Sequence, residues 1–128
     1  MLKANFITAE EAAEKIKDGS TVCTIGMTLV SASESVLKAI EKRFESSGHP
    51  ANITLVHSCG QSDRKDGIQH FAHEGLVKRI IGSHWGLQPK WMEMISENKV
   101  EAYCLPQGQI AQLYRSMACG LPGKMSKV

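Results

Sequence analysis

The residues able to do chemistry in this chain gather in a few short segments. His57, Cys59, His70, His73 and His84 are of metal-ligating type. His70 and His73 stand three apart and can share a helix face. The set contains no recognised zinc spacing, so the expected metal is none. An imidazole beside a thiol also activates a nucleophile, which makes a Cys59–His pair a second reading of the same residues. Packing or surface histidines are the plain alternative. Four further segments are rich in Gly, Ser and side-chain amides: Gly26-Met-Thr-Leu-Val-Ser31, Ser58-Cys-Gly-Gln-Ser-Asp63, Gly82-Ser-His-Trp-Gly86 and Pro106-Gln-Gly108. Such segments let backbone approach a ligand and present uncommitted donors, and they are equally the turns that a sheet requires. None is a Walker loop or a GxGxxG fingerprint, which leaves a nucleoside triphosphate or dinucleotide without support. Ser96-Glu97-Asn98, followed by Lys99, reads as a solvated helix end.

The elements that must position these segments follow from periodicity and punctuation. Thr8-Ala-Glu-Glu11 is a capping box, predicting a helix to about Lys17 with Gly19 as its left-handed stop. Thr21–Gly26 is a short β-branched run and reads as a buried strand. Ser31-Ala-Ser-Glu34 has the form of a second capping box, opening a helix with Val36, Leu37, Ile40 and Phe44 on one face. Asn52–His57 reads as a strand, a polar loop follows, and a short helical or irregular piece surrounds Phe71. Val77–Ile81 is the next strand. Pro89 suits the first turn of a helix with Trp91, Met92 and Ile95 at core spacing. Strand Val100–Leu105 and helix Ile110–Cys119 complete the pass. Strands alternating with helices, most strands being apolar on both faces, predict an open α/β fold: a mostly parallel sheet with helices on both faces. Ligands in such sheets collect at the carboxyl ends of the strands, where the four polar segments fall.

The 128 residues suffice for one domain with a real core. Hydrophobic content of 42% and charged content of 22% exclude a disordered chain. The net charge of +2 comes from 15 basic and 13 acidic residues without a long Lys/Arg run, so nucleic acid is not an expected partner. No apolar stretch is long enough to span a membrane, and the opening segment MLKANFITAEEAAEKIKDG carries a capped helix rather than a signal core. Four cysteines, Cys23, Cys59, Cys104 and Cys119, without CxxC spacing, read as reduced, mostly buried thiols of a cytoplasmic protein. The end of the chain, LPGKMSKV, is apolar and punctuated by Pro and Gly, and reads as half of a loop. Residues 1–128 are therefore expected to be a partial domain, the front piece of something larger. An unpaired sheet edge and uncovered apolar residues, Met117, Leu121 and Met125 among them, would make the isolated chain poorly soluble.

Several motifs in order, ITAEEAAEKIKDGSTV at Ile7–Val22, LVHSCGQSD, GSHWGLQP and LPQGQIAQLYRSMACGLPG at Leu105–Gly123, make the chain resemble the N-terminal, α-type half of a family I CoA-transferase, of the acyl-CoA:acetate or 3-ketoacid kind. The resemblance covers essentially the whole chain. It implies transfer of CoA from an acyl-CoA to a free carboxylic acid through a glutamyl-CoA thioester, with coenzyme A as part of the substrate and no separate cofactor. It implies ketone-body or short-chain acid metabolism, and partnership with the remaining part of the enzyme in a homo- or hetero-oligomer. It assigns Gly26 and Met27 to an oxyanion loop, where the family carries Gly-Gly-Phe and Gly26 is the matching residue. It places Gln107 facing the catalytic thioester, and Ser58, Gly60 and Gln61 in a loop near the acyl pocket. The family's nucleophilic glutamate lies in a Ser-Glu-Asn-Gly setting in its second half, so no catalytic nucleophile is expected among these residues. Ser96-Glu97-Asn98 lacks the Gly and does not inherit the role. A non-catalytic α/β binding or assembly module, docking a partner chain, is the alternative.

Overall fold

The computed structural model of the chain describes residues 4–127. Met1, Leu2, Lys3 and Val128, parts of the opening and closing segments read above, lie outside the described residues. The elements in order are α1 (Ala9–Glu14), β1 (Thr21–Thr24), α2 (Glu34–Ser47), β2 (Ile53–His57), a 3-10 helix (Gly67–Phe71), β3 (Val77–Gly82), α3 (Pro89–Ser96), β4 (Glu101–Cys104) and α4 (Gln107–Ala118). The four strands form one all-parallel sheet in the order β1-β2-β3-β4.

Right-handed crossovers that advance steadily along a sheet put their connecting helices on one face. Ala13, Leu37, Ile40, Phe71, Trp91 and Met94 from these connections, with α1, bury against Ile53, Leu55, Val77 and Ile80 of the strands. The opposite face receives α4, whose Leu113 shares a groove with Arg79, Ile81 and Tyr103. The expected α/β sheet with helices on both faces is what the chain builds.

Local chemistry explains the ends of the elements. At α1 the predicted capping box forms: Glu11 N–H donates to the Thr8 hydroxyl and Thr8 N–H to the Glu11 carboxylate. The helix stops at Glu14 rather than Lys17, and the Arg43 guanidinium of α2 takes up the carbonyls of Ala13 and Ile16 at 2.6 and 2.8 Å. A short helix end that would expose carbonyls is thereby satisfied from a neighbour. The second predicted box does not form. Ser31 is left-handed with φ 63°, α2 begins at Glu34, and its N-cap Ser33 makes no side-chain cap bond. Glu34 instead accepts from Gly67 N–H at 3.0 Å and faces His70 Nε2 at 2.7 Å, a buried partner that outweighs a solvent-facing cap.

Other expectations are corrected by packing. α4 starts at Gln107, because Pro106 already stands at its N-cap, rather than at Ile110. In α3, Met94 turns inward and Met92 is exposed. β1 and β4 are the sheet edges and are mostly exposed instead of buried on both faces. Nor are the thiols mostly buried: Cys23 and Cys104 are exposed on the edge strands, Cys119 is exposed past the end of α4, and Cys59 is half-buried in the loop after β2. All four are free. Met117, Leu121 and Met125 are exposed, as expected. Among the described residues no helix is long and apolar enough to cross a membrane.

One polar cluster around the buried His70 locks the 3-10 helix onto α2. His70 lies between two carboxylates, Nδ1 at 2.5 Å from Glu41 and Nε2 at 2.7 Å from Glu34, while His73 Nε2 meets the second Glu41 oxygen at 2.7 Å. Lys38 bridges Glu34 and Asp66 at 3.2 and 3.1 Å. Burial opposes the charged form of each group, yet the paired charges prevail: His70 titrates above its ordinary 6.5 and Glu41 below its ordinary 4.5. The stabilisation from Glu41 is present above pH 4.5 and is lost as pH falls through its lowered folded value. That from His70 is complete below pH 6.5 and is lost as pH rises through its raised folded value. Glu41→Gln is therefore expected to cost about 2 kcal/mol at pH 6, from two weakened charge-assisted bonds. The cost shrinks at pH 9, as read by urea unfolding followed by circular dichroism. An equal cost at both values would show that the imidazolium contributes nothing.

Candidate functional site

The carboxyl ends of the four strands carry the four polar segments, so the fold brings all of them to one rim. Their mutual positions are fixed by hydrogen bonds that begin at His57, the last residue of β2 and fully buried. Its Nδ1 lies 3.0 Å from the Cys59 carbonyl, which can only accept, so Nδ1 carries the proton. Nε2 then accepts from the Trp85 indole N–H at 3.1 Å. Both ring nitrogens are thereby assigned and the imidazole is neutral. Burial, helped by nearby His84, drives its pKa down to about 4 against the hydrogen bond to the Cys59 carbonyl, which raises it.

Two glycines make room for this arrangement. A Cβ on Gly82, at the end of β3, would lie 2.1 Å from His57 Nε2. A Cβ on Gly60 would lie 2.6 Å from His84 Cε1. Gly60 N–H donates to His84 Nε2 at 3.3 Å, and the Cys59 thiol stands 3.9 Å from that same nitrogen. The loop after β1 docks on this one, with Thr28 N–H donating to the Gly60 carbonyl at 3.0 Å.

The positions singled out from sequence fall as follows. Gly26, with φ 147°, opens a tight hairpin in which Met27 N–H donates to the Val30 carbonyl at 3.1 Å and Val30 returns a bond of 2.9 Å. The Met27 side chain is exposed. Ser58 is half-buried, and its carbonyl accepts from the Ser83 hydroxyl, joining the ends of β2 and β3. Gln61 is buried: its side-chain NH2 donates to the Thr24 carbonyl at 2.9 Å and its own carbonyl accepts from Ile68 N–H at 2.9 Å. With the Gln88 amide oriented to satisfy both neighbours, its oxygen accepts from Gln61 N–H and its NH2 donates to the Trp85 carbonyl, each at 3.1 Å. Gln61 thus ties β1 to the loop after β2. Gln107 stands exposed at the first position of α4, next to Leu105, whose N–H donates to the Gly82 carbonyl at 2.9 Å.

The remaining candidates separate from the rim. α3 runs from the carboxyl end of β3 to the amino end of β4, so Glu97, which pairs with Lys99 at 2.8 Å, sits at the far end of the sheet. His70 and His73 belong to the polar cluster on α2. There Glu34, Asp66 and His70, and separately Glu41, Glu45 and His73, bring ligand-type atoms within 4.8 Å of one another. Most of those carboxylates already hold imidazoles or Lys38. Sequence reasoning named GSHWGLQP as a segment but gave no individual role to Trp85 or Gln88. The bonds of Trp85 to His57 and of Gln88 to Gln61 each span more than twenty residues, and nothing local announces them.

Comparison with known proteins supplies the rest. The sequence model of the family described as Coenzyme A transferase matches residues 6–128. Caffeate CoA-transferase of Acetobacterium woodii is 39% identical over 126 residues, which is 98% of this chain and 24% of that protein. One subunit of a probable succinyl-CoA:3-ketoacid coenzyme A transferase of Bacillus subtilis (strain 168) is 26% identical over 91% of this chain and 46% of its own length. The crystal structure of the acyl-CoA transferase YdiF from E. coli O157:H7, a thioester complex with CoA, superposes with a TM-score of 0.87 at 32% identity, covering 95% of this chain and 26% of that one. The chain thus spans about a quarter of the length of the caffeate and YdiF proteins.

His57 sets the acid sensitivity of the rim. Its folded pKa lies below the unfolded one, so the folded protein loses stability as pH falls from about 6.5 towards 4. From pH 7 to pH 5 the His57 contribution to this loss is expected to be roughly 2 kcal/mol, partly offset by the stabilisation that His70 gains over the same window. His57→Phe should flatten that slope while destabilising the protein at pH 7. Chemical denaturation across the window measures both, and an unchanged slope would refute the assignment.

Proposed function

The chain belongs to the coenzyme A transferase family, and we propose that it supplies part of the α-type half of an enzyme that moves CoA from an acyl-CoA to a free carboxylic acid. The observation that carries this reading is the rim itself, where the ends of β1, β2, β3 and β4 meet as Gly- and amide-rich loops held by buried hydrogen bonds. The names of the relatives differ in the acid, caffeate in one and a 3-ketoacid in another, and agree on CoA transfer. We assign the acids to the acetate or 3-keto class, and the enzyme to ketone-body or short-chain acid metabolism. The four free cysteines favour the cytoplasm.

The proposed chemistry divides one difficult exchange into easier steps. A glutamate carboxylate attacks the thioester carbonyl and expels CoA thiolate, leaving a mixed anhydride. The thiolate attacks the glutamyl carbonyl and releases the first acid, giving a glutamyl-CoA thioester. The incoming acid reverses both steps. Each tetrahedral intermediate bears an oxyanion that needs preorganised donors. Gly26 and Met27 on the β1 loop and Gln107 at the start of α4 are the proposed donors, the Met27 amide being available once its hairpin bond to Val30 is exchanged for the oxyanion. Ser58, Gly60 and Gln61 form the loop that borders the acyl group, with Gln61 as its anchor. Glu97 stands at the opposite end of the sheet from these groups, so the nucleophile comes from the remaining part of the enzyme, in a homo- or hetero-oligomer. The exposed Met117, Leu121 and Met125 are surface for that part to cover.

The test is CoA exchange between acetyl-CoA and a carboxylic acid. Residues 1–128 alone should give no turnover, and the enzyme that contains them should turn over. In that enzyme Gln107→Ala is expected to lower kcat by about 100-fold, the loss typical of one oxyanion donor. Turnover by residues 1–128 alone, abolished by Glu97→Gln, would overturn the placement of the nucleophile.

A further inference from the structure

The pair formed by Cys59 and His84 is not used by the glutamate chemistry, yet it lies on the same rim with its parts already aligned. We propose that Cys59 is a second acyl acceptor at this site, with His84 as its base, taking an acyl group from an acyl thioester by thiol–thioester exchange. The proposal rests on four contacts made by Cys59 and Gly60. The Cys59 carbonyl is held by His57 Nδ1–H at 3.0 Å. On the other side of that peptide bond, Gly60 N–H donates to His84 Nε2 at 3.3 Å. The Gly60 carbonyl accepts from Thr28 N–H at 3.0 Å. The Cys59 sulfur lies 3.9 Å from the same His84 nitrogen, half-buried and therefore reachable. Since Nε2 accepts from a backbone amide it carries no proton; its single lone pair faces Gly60 N–H at rest, and the thiol proton takes that place when it transfers.

The step balances with no further reactant. His84 Nε2 takes the thiol proton and the Cys59 thiolate attacks the thioester carbonyl carbon. The new C–S bond forms, the bond to the CoA sulfur breaks, and the departing CoA thiolate takes the proton back from His84. Protonation at Nε2 has a second effect, since a protonated nitrogen no longer accepts from Gly60 N–H. That amide is freed as the oxyanion appears, so one proton transfer supplies both the nucleophile and a donor for the intermediate. The close approach of imidazole to backbone needs the missing Cβ of Gly60. Other cysteines lack this setting: the Cys104 thiol donates to the Ser83 carbonyl at 3.2 Å, and Cys119 lies past the end of α4. Because reactant and product are both thioesters, free CoA regenerates the thiol. Occupancy of Cys59 then follows the ratio of acyl-CoA to CoA, and the acylated form obstructs the rim.

The choice of an acyl-CoA as donor rests on the CoA-transferase reading, whereas the dyad rests on geometry alone. The chain is incubated at pH 7 with acetyl-CoA, with S-acetyl-N-acetylcysteamine, or with iodoacetamide, and mapped by peptide mass spectrometry. Acetyl is expected on Cys59 and absent after Cys59→Ser. Alkylation of Cys59 should exceed that of Cys119 by about tenfold, less than the roughly 100-fold or more that a positioned general base supplies. His84→Gln, a change at an exposed position, should remove that advantage and slow acetylation by a similar factor. Absence of Cys59 acetylation with both thioesters, acetyl spread evenly over the four cysteines, or rates unaffected by His84→Gln would each overturn the proposal. Acetylation by the small thioester and not by acetyl-CoA would sustain the dyad and count against the CoA reading instead.

Discussion

A neutral imidazole sealed inside the protein is the constraint on which the rest of the rim depends. His57 must remain uncharged, because burial penalises its cation, and it must find one donor and one acceptor, because an unpaired buried ring nitrogen is costly. The Cys59 carbonyl and the Trp85 indole meet both demands from different strand ends. Gly82 contributes the space that a side chain would fill. Once these are set, the Cys59–Gly60 peptide has little freedom, and the neighbouring loops inherit their positions from it through Thr28, Gln61 and Gln88. The loops are polar and mostly on the surface, and their order derives from the buried layer beneath.

The same side chain is used in the opposite sense some distance away. His70 is largely buried too, but two carboxylates flank it, and their charge outweighs the desolvation that wins at His57. What decides between a neutral and a charged imidazole is the neighbour supplied by the fold: a carbonyl and an indole in one case, Glu34 and Glu41 in the other. The second arrangement explains why α2 surrenders its expected cap. Glu34 could serve the first turn of its helix or join the 3-10 helix to α2, and the half-buried ion pair with His70 takes precedence.

How much of this was legible in the sequence depends on the range over which each interaction acts. The capping box of α1, Pro89 at the start of α3 and the apolar runs of β2 and β3 are local, and they formed as read. The α/β class followed from alternation alone. The second capping box had the same local form and failed, because its glutamate met a distant histidine that periodicity cannot reveal. The exposure of β1 and β4 was missed for a related reason: apolar residues mark a strand without telling whether it is central or at an edge. At the rim, composition pointed to the segments that meet there. The links that organise it, His57 to Trp85 and Gln61 to Thr24, join residues 28 and 37 apart in the chain.

The strand order has a bearing on synthesis as well as on architecture. Each strand after β1 pairs with the one made just before it, so its neighbour is already present when it emerges. A chain of this kind can assemble as it leaves the ribosome, each new βα unit adding to a template already in place, and its loop-closure cost stays low. β1, made before the other three of these strands, has one edge paired by β2 and, among the described residues, the other unpaired. During translation that edge is the oldest exposed surface of the nascent sheet. It is consequently the one on which a chaperone, or a premature contact with another nascent chain, has the longest time to act.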